Sequence, residues 1–360
     1  MTTIARGKLA AIGGLVLLAA VAAWQVEPRG DQAGVALETY PTRVMGTTCH
    51  LVAVPSSDLP TAAGRQVAIA ALEGAEAEIR AVEAEMSSWI DASPVSRLNQ
   101  ARAGRLVPVP PPTRLVLEAS RELYDRSDGA FDVTCRPLIQ LWREAGQTQR
   151  RPPPDAIEAA RRASTWDDLS IEPDGVRKRK TSARVDLGGV AKGYGIDRAV
   201  AAMRSTGATG GLVDIGGDVR TFGRPGGATD RWEIQIRNPA GDGAIGTLRL
   251  TDGAVCTSGD YFRFVEIEGT RYSHIVDPRT GRPAASVHSA TVLASDAMTA
   301  DGWATALSVL GEAGLGRLPA GVEGLIILGE GTALRAVVSS GFRRQLADPL
   351  AYPTREVASK

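Results

Sequence analysis

Two hydrophobic periods follow one another along this chain, and their order most limits what it can fold into. Over 62–86 the apolar residues Val67, Ala70, Ala71, Ala75 and Ile79 recur along one side with glutamates between them, the spacing of an amphipathic helix. Helical spacing returns at 113–126 and 154–163, after proline-rich stretches at 108–112 and 152–154 that read as loops rather than domain boundaries. Beyond them come short β-like runs at 169–171, 184–187, 212–215, 232–237, 247–250, 289–294, 324–328 and 334–338, with helices expected at 190–206 and 297–310. Long helices gathered early and strands gathered late predict an α+β fold, not a doubly wound parallel sheet. No internal repeat interrupts the pattern.

Arg6 and Lys8 precede an uncharged apolar run from Leu9 to Trp24. A basic start followed by such a run is an export signal or a single N-terminal membrane anchor. Ala20 and Ala22 offer a cleavage site, so both forms fit. The first cysteine, Cys49, lies too far along to be a lipid-modified residue at the signal's end. The basic residues stay on the cytoplasmic side, which places the chain from about residue 30 in a periplasm-like compartment. The expected organisation is a signal or anchor over 1–29, one domain over 30–350 and a tail over 351–360. The 41 basic and 41 acidic side chains cancel, which argues against nucleic acid as a partner, since phosphate backbone demands a basic face. With 43% apolar and 23% charged residues, a disordered chain, a coiled coil and a multi-span membrane protein are excluded. Cys49, Cys135 and Cys256 form no CxxC pair and are expected as small buried hydrophobes rather than zinc ligands.

Three segments carry chemistry. In the first, an expected strand ends at Asp186, Gly188-Gly189 turns the chain, and a helix begins with Lys192 in its first turn. A cation there opposes the helix dipole, which makes sense where a phosphate is to arrive at the helix N-terminus; a solvated lysine after a tight turn fits equally well. The segment is neither a Walker A loop nor GxGxxG. In the second, Asp301 and Thr305 stand four apart on an expected helix, beside the small residues Ala297, Ala304 and Ser308. A carboxylate and a hydroxyl with room beside them suit a hard cation that also holds phosphate oxygens; an ordinary amphipathic helix explains them too. The third is Thr257-Ser258-Gly259-Asp260-Tyr261-Phe262-Arg263, followed by Tyr272 to Gly281. His274, one of three histidines, falls at a strand end before the turn Asp277-Pro278-Arg279-Thr280-Gly281, where catalytic groups often sit.

Together these segments resemble the ApbE family of FAD:protein FMN transferases, from about Met45 to Gly311. The residues that carry the resemblance are Met45-Gly46-Thr47, Ser96-Arg97-Leu98-Asn99, Gly129-Ala130-Phe131-Asp132, Asp186-Leu187-Gly188-Gly189 with Lys192-Gly193-Tyr194, Gly216-Gly217-Asp218, Ser273 to Pro278, and Ala300-Asp301 with Ala304-Thr305. The resemblance implies a T-fold-related α+β fold of two lobes, with mixed sheets, flanking helices and FAD in the cleft between the lobes. It implies transfer of FMN from FAD to a threonine or serine hydroxyl of an exported or membrane flavoprotein, with Mg²⁺ on the pyrophosphate and AMP released. On the same grounds His274 is the base. Met45, Trp89, Ala130, Phe131, Asp132, Asp186, Lys192 and His274 hold FAD, with Lys192 at the flavin or at the phosphates. Asp301, Thr305 and the Gly189 carbonyl hold the metal.

Several positions, at three places in the chain, depart from the family pattern. Trp89 stands where tyrosine is usual, and an indole stacks on isoalloxazine equally well. Val133 and Cys135-Arg136 replace Pro and Val-Gly, which alters the loop after Phe131-Asp132. Gly302-Trp303 replaces Ala-Leu inside the metal-site helix at a cost of ~1 kcal/mol in propensity. Two other readings stay open: hydrolysis of FAD to FMN and AMP at the same site with water as the acceptor, and a non-catalytic flavin-binding or electron-transfer accessory protein.

Overall fold

The protein is seen in a computed structural model that describes residues 38–358 apart from 164, 227–229, 260–263, 330 and 332. The expected signal or anchor over 1–29 and the Asp260–Arg263 part of the third segment lie outside the described residues. Among the described residues no helix is long and apolar enough to cross a membrane.

The helices expected at 62–86, 113–126 and 154–163 form close to those places, and two that the periodicity did not mark form between them. Helix α1, Thr61–Met86, buries Ala68, Ala71, Leu72, Ala75, Ile79, Val82 and Met86 along one stripe. Helix α2, Pro94–Gln100, starts where the Ser93 hydroxyl accepts the Ser96 N–H at 2.9 Å, a side-chain cap. Helix α3, Pro111–Arg126, opens on prolines, which lose nothing at positions whose N–H has no helical partner. Helices α4, Arg136–Thr148, and α5, Pro154–Ala163, follow. Helix α6, Ala191–Ser205, leads into the strand-rich half. Helix α7, Ala297–Leu310, is capped by the Asp296 carboxylate on the Thr299 N–H at 2.8 Å and ends at Gly311.

Among the described residues nine strands join in one sheet, in the spatial order Glu38–Val44, Thr47–Val54, Gly210–Ile215, Asp218–Phe222, Gly253–Gly259, Ser289–Ala294, Glu323–Leu328, Arg335–Ser339 and Thr354–Val357. Every pair is antiparallel except the last. Side chains alternate between its faces: Cys49, Leu51 and Ala53 join a core with α1, α6 and α7. Val52 and Val54 point the other way, into a second core beneath the hairpin Trp232–Arg237 and Ala244–Leu250. A third, smaller core packs α4 against the hairpin Phe264–Ile267 and Thr270–Ser273.

Two expectations fail. Residues 184–187 are extended but form no strand; the Asn99 side chain takes the place of a partner strand, donating to the Val185 carbonyl at 2.8 Å and accepting its N–H at 2.7 Å. The C-terminal segment is not a loose tail, since Thr354–Val357 pairs in parallel with Arg335–Ser339 at the sheet edge. The cysteines are unbridged, with Cys49 and Cys256 buried and Cys135 half-buried. Burial pushes the Cys49 thiol up to about 12, which leaves it unreactive.

Candidate active site

Helices α6 and α7 cross where the glycine pair Gly188-Gly189 has turned the chain, and their contacts build the centre of the site. The Lys192 ammonium donates to the Asp218 carboxylate and to Asp301 Oδ1 at 3.2 Å. The other Asp301 oxygen accepts the Gly193 N–H at 3.0 Å, and Asp218 Oδ1 accepts the Thr257 N–H at 3.0 Å. Gly193 is required here: a Cβ would sit 2.1 Å from the Ala297 carbonyl oxygen. Asp197, one turn further along α6, accepts the Ala297 and Met298 N–H groups at 2.8 and 2.9 Å and is held by Arg220 at 2.6 Å. One carboxylate thereby fixes the start of α7 against α6.

The electrostatics follow from burial. Asp218 and Asp301 are 3% and 2% exposed, and ionised carboxylates so placed need compensation. Burial pushes Asp301 above the usual carboxylate range, Lys192 pulls it back and Asp218 opposes that. For Lys192 burial favours the neutral amine, but Asp218 and Asp301 outweigh it and hold the ammonium above its ordinary value. Two carboxyl groups thus converge on one ammonium.

Beside this cluster lies a cradle. A Cβ on Gly189 would meet the Thr305 hydroxyl oxygen at 3.2 Å and the Phe131 ring at 3.2 Å, and the Ser258 hydroxyl is 3.5 Å from that of Thr305. Gly189, Phe131 and Thr305 therefore come together, with Asp301 one helical turn from Thr305. Among the described residues no group of three His, Cys, Asp or Glu side chains is placed to hold a metal. A cation here needs the hydroxyl, a backbone carbonyl and ligand oxygens besides Asp301, a donor set that suits Mg²⁺.

A second cluster forms where α1 runs out. Arg136, at the start of α4, donates to Asp186 Oδ2 at 2.7 Å, to the Ser88 hydroxyl at 2.5 Å and to the Ser88 carbonyl at 3.3 Å. Trp89 is 70% exposed, with the Arg136 and Arg143 guanidinium carbons 5.8 and 4.4 Å from its ring. The remaining expected residues divide. Met45 takes a left-handed φ of 51° at the turn between the first two strands, and its sulfur lies 3.5 Å from where a Cβ of Gly195 on α6 would stand. Ala130 is buried, its N–H on the Ser127 carbonyl at 3.2 Å. Asp132 turns into its own loop, with Oδ1 accepting the N–H and hydroxyl of Thr134, both at 2.7 Å; burial pushes it up to about 7 despite those bonds. His274 is exposed and follows Ser273 directly, at the end of the hairpin that α4 supports.

Sequence reading missed Arg136, Ser88 and Asp197 as parts of the site. Asp218 lay within Gly216-Gly217-Asp218 without a role assigned, and its glycines marked it. Nothing local marked Ser88 or Asp197, whose partners lie about a hundred residues away.

The ApbE family model matches residues 45–325. An FAD:protein FMN transferase of Vibrio cholerae serotype O1 is 36% identical over 275 residues, covering 74% of this chain and 80% of that protein. The flavinyl transferase ApbE of Pseudomonas stutzeri, solved in its apo form, superposes with a TM-score of 0.77 at 30% identity, covering 89% of this chain and all of that one. The ApbE protein of Thermotoga maritima gives 0.76 at 32% identity over 87% of this chain and all of its own. With its fold, its motifs and most of its length matched in this way, the chain belongs to the ApbE family.

Proposed function

We propose that this protein transfers FMN from FAD to a threonine or serine hydroxyl of a partner flavoprotein, with Mg²⁺, and releases AMP. The observation that carries this reading is the Lys192–Asp218–Asp301 cluster beside the Gly189–Thr305 cradle, in a chain whose relatives bear the name FAD:protein FMN transferase. Asp301, Thr305 and the Gly189 carbonyl would hold the cation. Bound there, Mg²⁺ would supply positive charge to offset the negative charge developing on the diphosphate.

The chain's own groups do the rest. The α6 N-terminus presents its partial positive charge to the phosphates, and Lys192 holds Asp218 and Asp301 beside it. Trp89 and Asp186 receive the flavin, and Met45 and Phe131 shape the walls beside α6 and Gly189. His274 takes the proton from the acceptor hydroxyl, a weak nucleophile until a base is positioned on it. The oxygen–phosphorus bond to the FMN phosphate forms as the bond to the AMP oxygen breaks. Asp132, with Oδ1 on Thr134, fixes the loop that follows Phe131 on the flavin side. The acceptor belongs to a membrane or periplasmic redox system, consistent with the apolar run near the N-terminus.

The test mixes the purified chain with FAD, Mg²⁺ and an acceptor domain bearing an exposed threonine. Intact mass is expected to show an FMN adduct that needs Mg²⁺ and is lost in Asp301→Ala and His274→Ala. AMP and free FMN without an adduct would instead indicate hydrolysis.

A further inference from the structure

Arg136 joins three groups at the proposed flavin end of the site. Its side chain is 12% exposed, yet it reaches three places at once: the Asp186 carboxylate, both oxygens of Ser88, and the face of Trp89. Ser88 also donates to Asp186 Oδ2 at 3.2 Å, so the three residues close a ring of polar contacts. The segments it joins come from the end of α1, the start of α4 and the extended run before Gly188, nearly a hundred residues apart in sequence.

The ring has a chemical shape. Asp186 accepts, the guanidinium donates, and an indole 70% exposed stands beside them. An exposed indole is costly to leave in water and offers a stacking face to a flat heteroaromatic ring. A guanidinium is planar and charged at every physiological pH, and its several donors fix their partners' directions. Held by it, Asp186 and Trp89 do not have to be ordered when a ligand arrives, and that ordering is a main cost of binding.

We propose that Arg136 is a positioning residue for substrate, presetting Asp186 and the Ser88-Trp89 turn as a platform for the isoalloxazine end of FAD. The proposal rests on the flavin-transfer reading and deepens it. The platform acts before chemistry: it lowers the FAD concentration needed for half-saturation and leaves the transfer step to the Lys192–Asp301 cluster and His274.

The experiment titrates FAD, FMN and ADP into the full chain, following flavin fluorescence and, for ADP, heat. Arg136→Ala and Arg136→Lys are compared with Asp186→Ala and the Arg136→Ala/Asp186→Ala double variant. Arg136→Ala is expected to weaken FAD and FMN about tenfold, to leave ADP unchanged, and to raise KM for FAD with kcat within about twofold. Arg136→Lys is expected to recover part of the affinity. The double variant should bind FAD no worse than the weaker single one, because both changes break one contact. Unchanged FAD affinity in Arg136→Ala, additive losses in the double variant, or weakening of ADP alongside FMN would each overturn the role of Arg136. A wild-type chain that binds no FAD overturns the flavin-transfer reading itself. Equal circular dichroism of wild type and Arg136→Lys guards against loss of fold.

Discussion

Lys192 serves two buried carboxylates, and the consequence of removing it is set by what it leaves behind. Lys192→Met strands Asp218 and Asp301 with no cation, which costs about 3 kcal/mol, the low end for a broken buried pair because 29% of the lysine side chain meets solvent. Urea unfolding at pH 7.5 checks this, and Mg²⁺ is expected to raise the midpoint of the variant more than that of the wild type. Asp132 gives a pH-dependent prediction. Its carboxyl titrates at about 7 in the fold against an ordinary 3.8, so between those values the folded state binds more protons than the unfolded one. Stability therefore falls as pH rises from about 4 to 7, by at most ~1.4 kcal/mol per unit, and levels off above. Asp132→Asn keeps the acceptor for Thr134 and should flatten that slope; an unchanged slope in denaturation at pH 5, 6 and 7 would sink the assignment.

The α6–α7 pair shows what an element contributes that no residue does alone. Asp197 caps α7 from α6, so Asp197→Ala removes a cap worth about 0.5–2 kcal/mol and strands Arg220. Its expected signature is a lower thermal midpoint together with a raised Mg²⁺ concentration for half-maximal activity, as α7 shifts Asp301 and Thr305 relative to Gly189. A lowered midpoint with unchanged Mg²⁺ dependence would confine Asp197 to stability. Both helices were expected in the sequence, at 190–206 and 297–310, close to where they form. The 184–187 segment was misread because its apolar spacing is that of a strand, while its partner is one amide side chain from Asn99. The strand Thr47–Val54 escaped notice for the opposite reason: buried on both faces, it lacks clean alternation. Gly189, Lys192, Asp301 and Thr305, singled out in the sequence from separate segments, are brought together by the fold. Arg136 stood out only as a departure from the family pattern and Asp197 not at all, because their meaning lies in distant partners.

At the scale of the molecule, the sheet ends on Thr354–Val357, and cutting the chain after residue 350 uncovers the ladder of Arg335–Ser339. The shortened protein is expected to melt several degrees lower and to aggregate more readily, since a bare edge strand recruits other chains; light scattering during heating checks this. The pairing of Thr47–Val54 with Gly210–Ile215 has a further consequence in time. Leu51 lies opposite Val213, so the first hairpin has no inner neighbour until more than two hundred residues have been made. Lys192 then waits for Asp301, which itself follows the strand Ser289–Ala294. A chain emerging from the ribosome cannot bring Lys192 and Asp301 together piecemeal: until about residue 310 is free, it has helices and hairpins but no crossing of α6 and α7. The buried cluster closes late and all at once, as the last third of the polypeptide settles onto a waiting middle third.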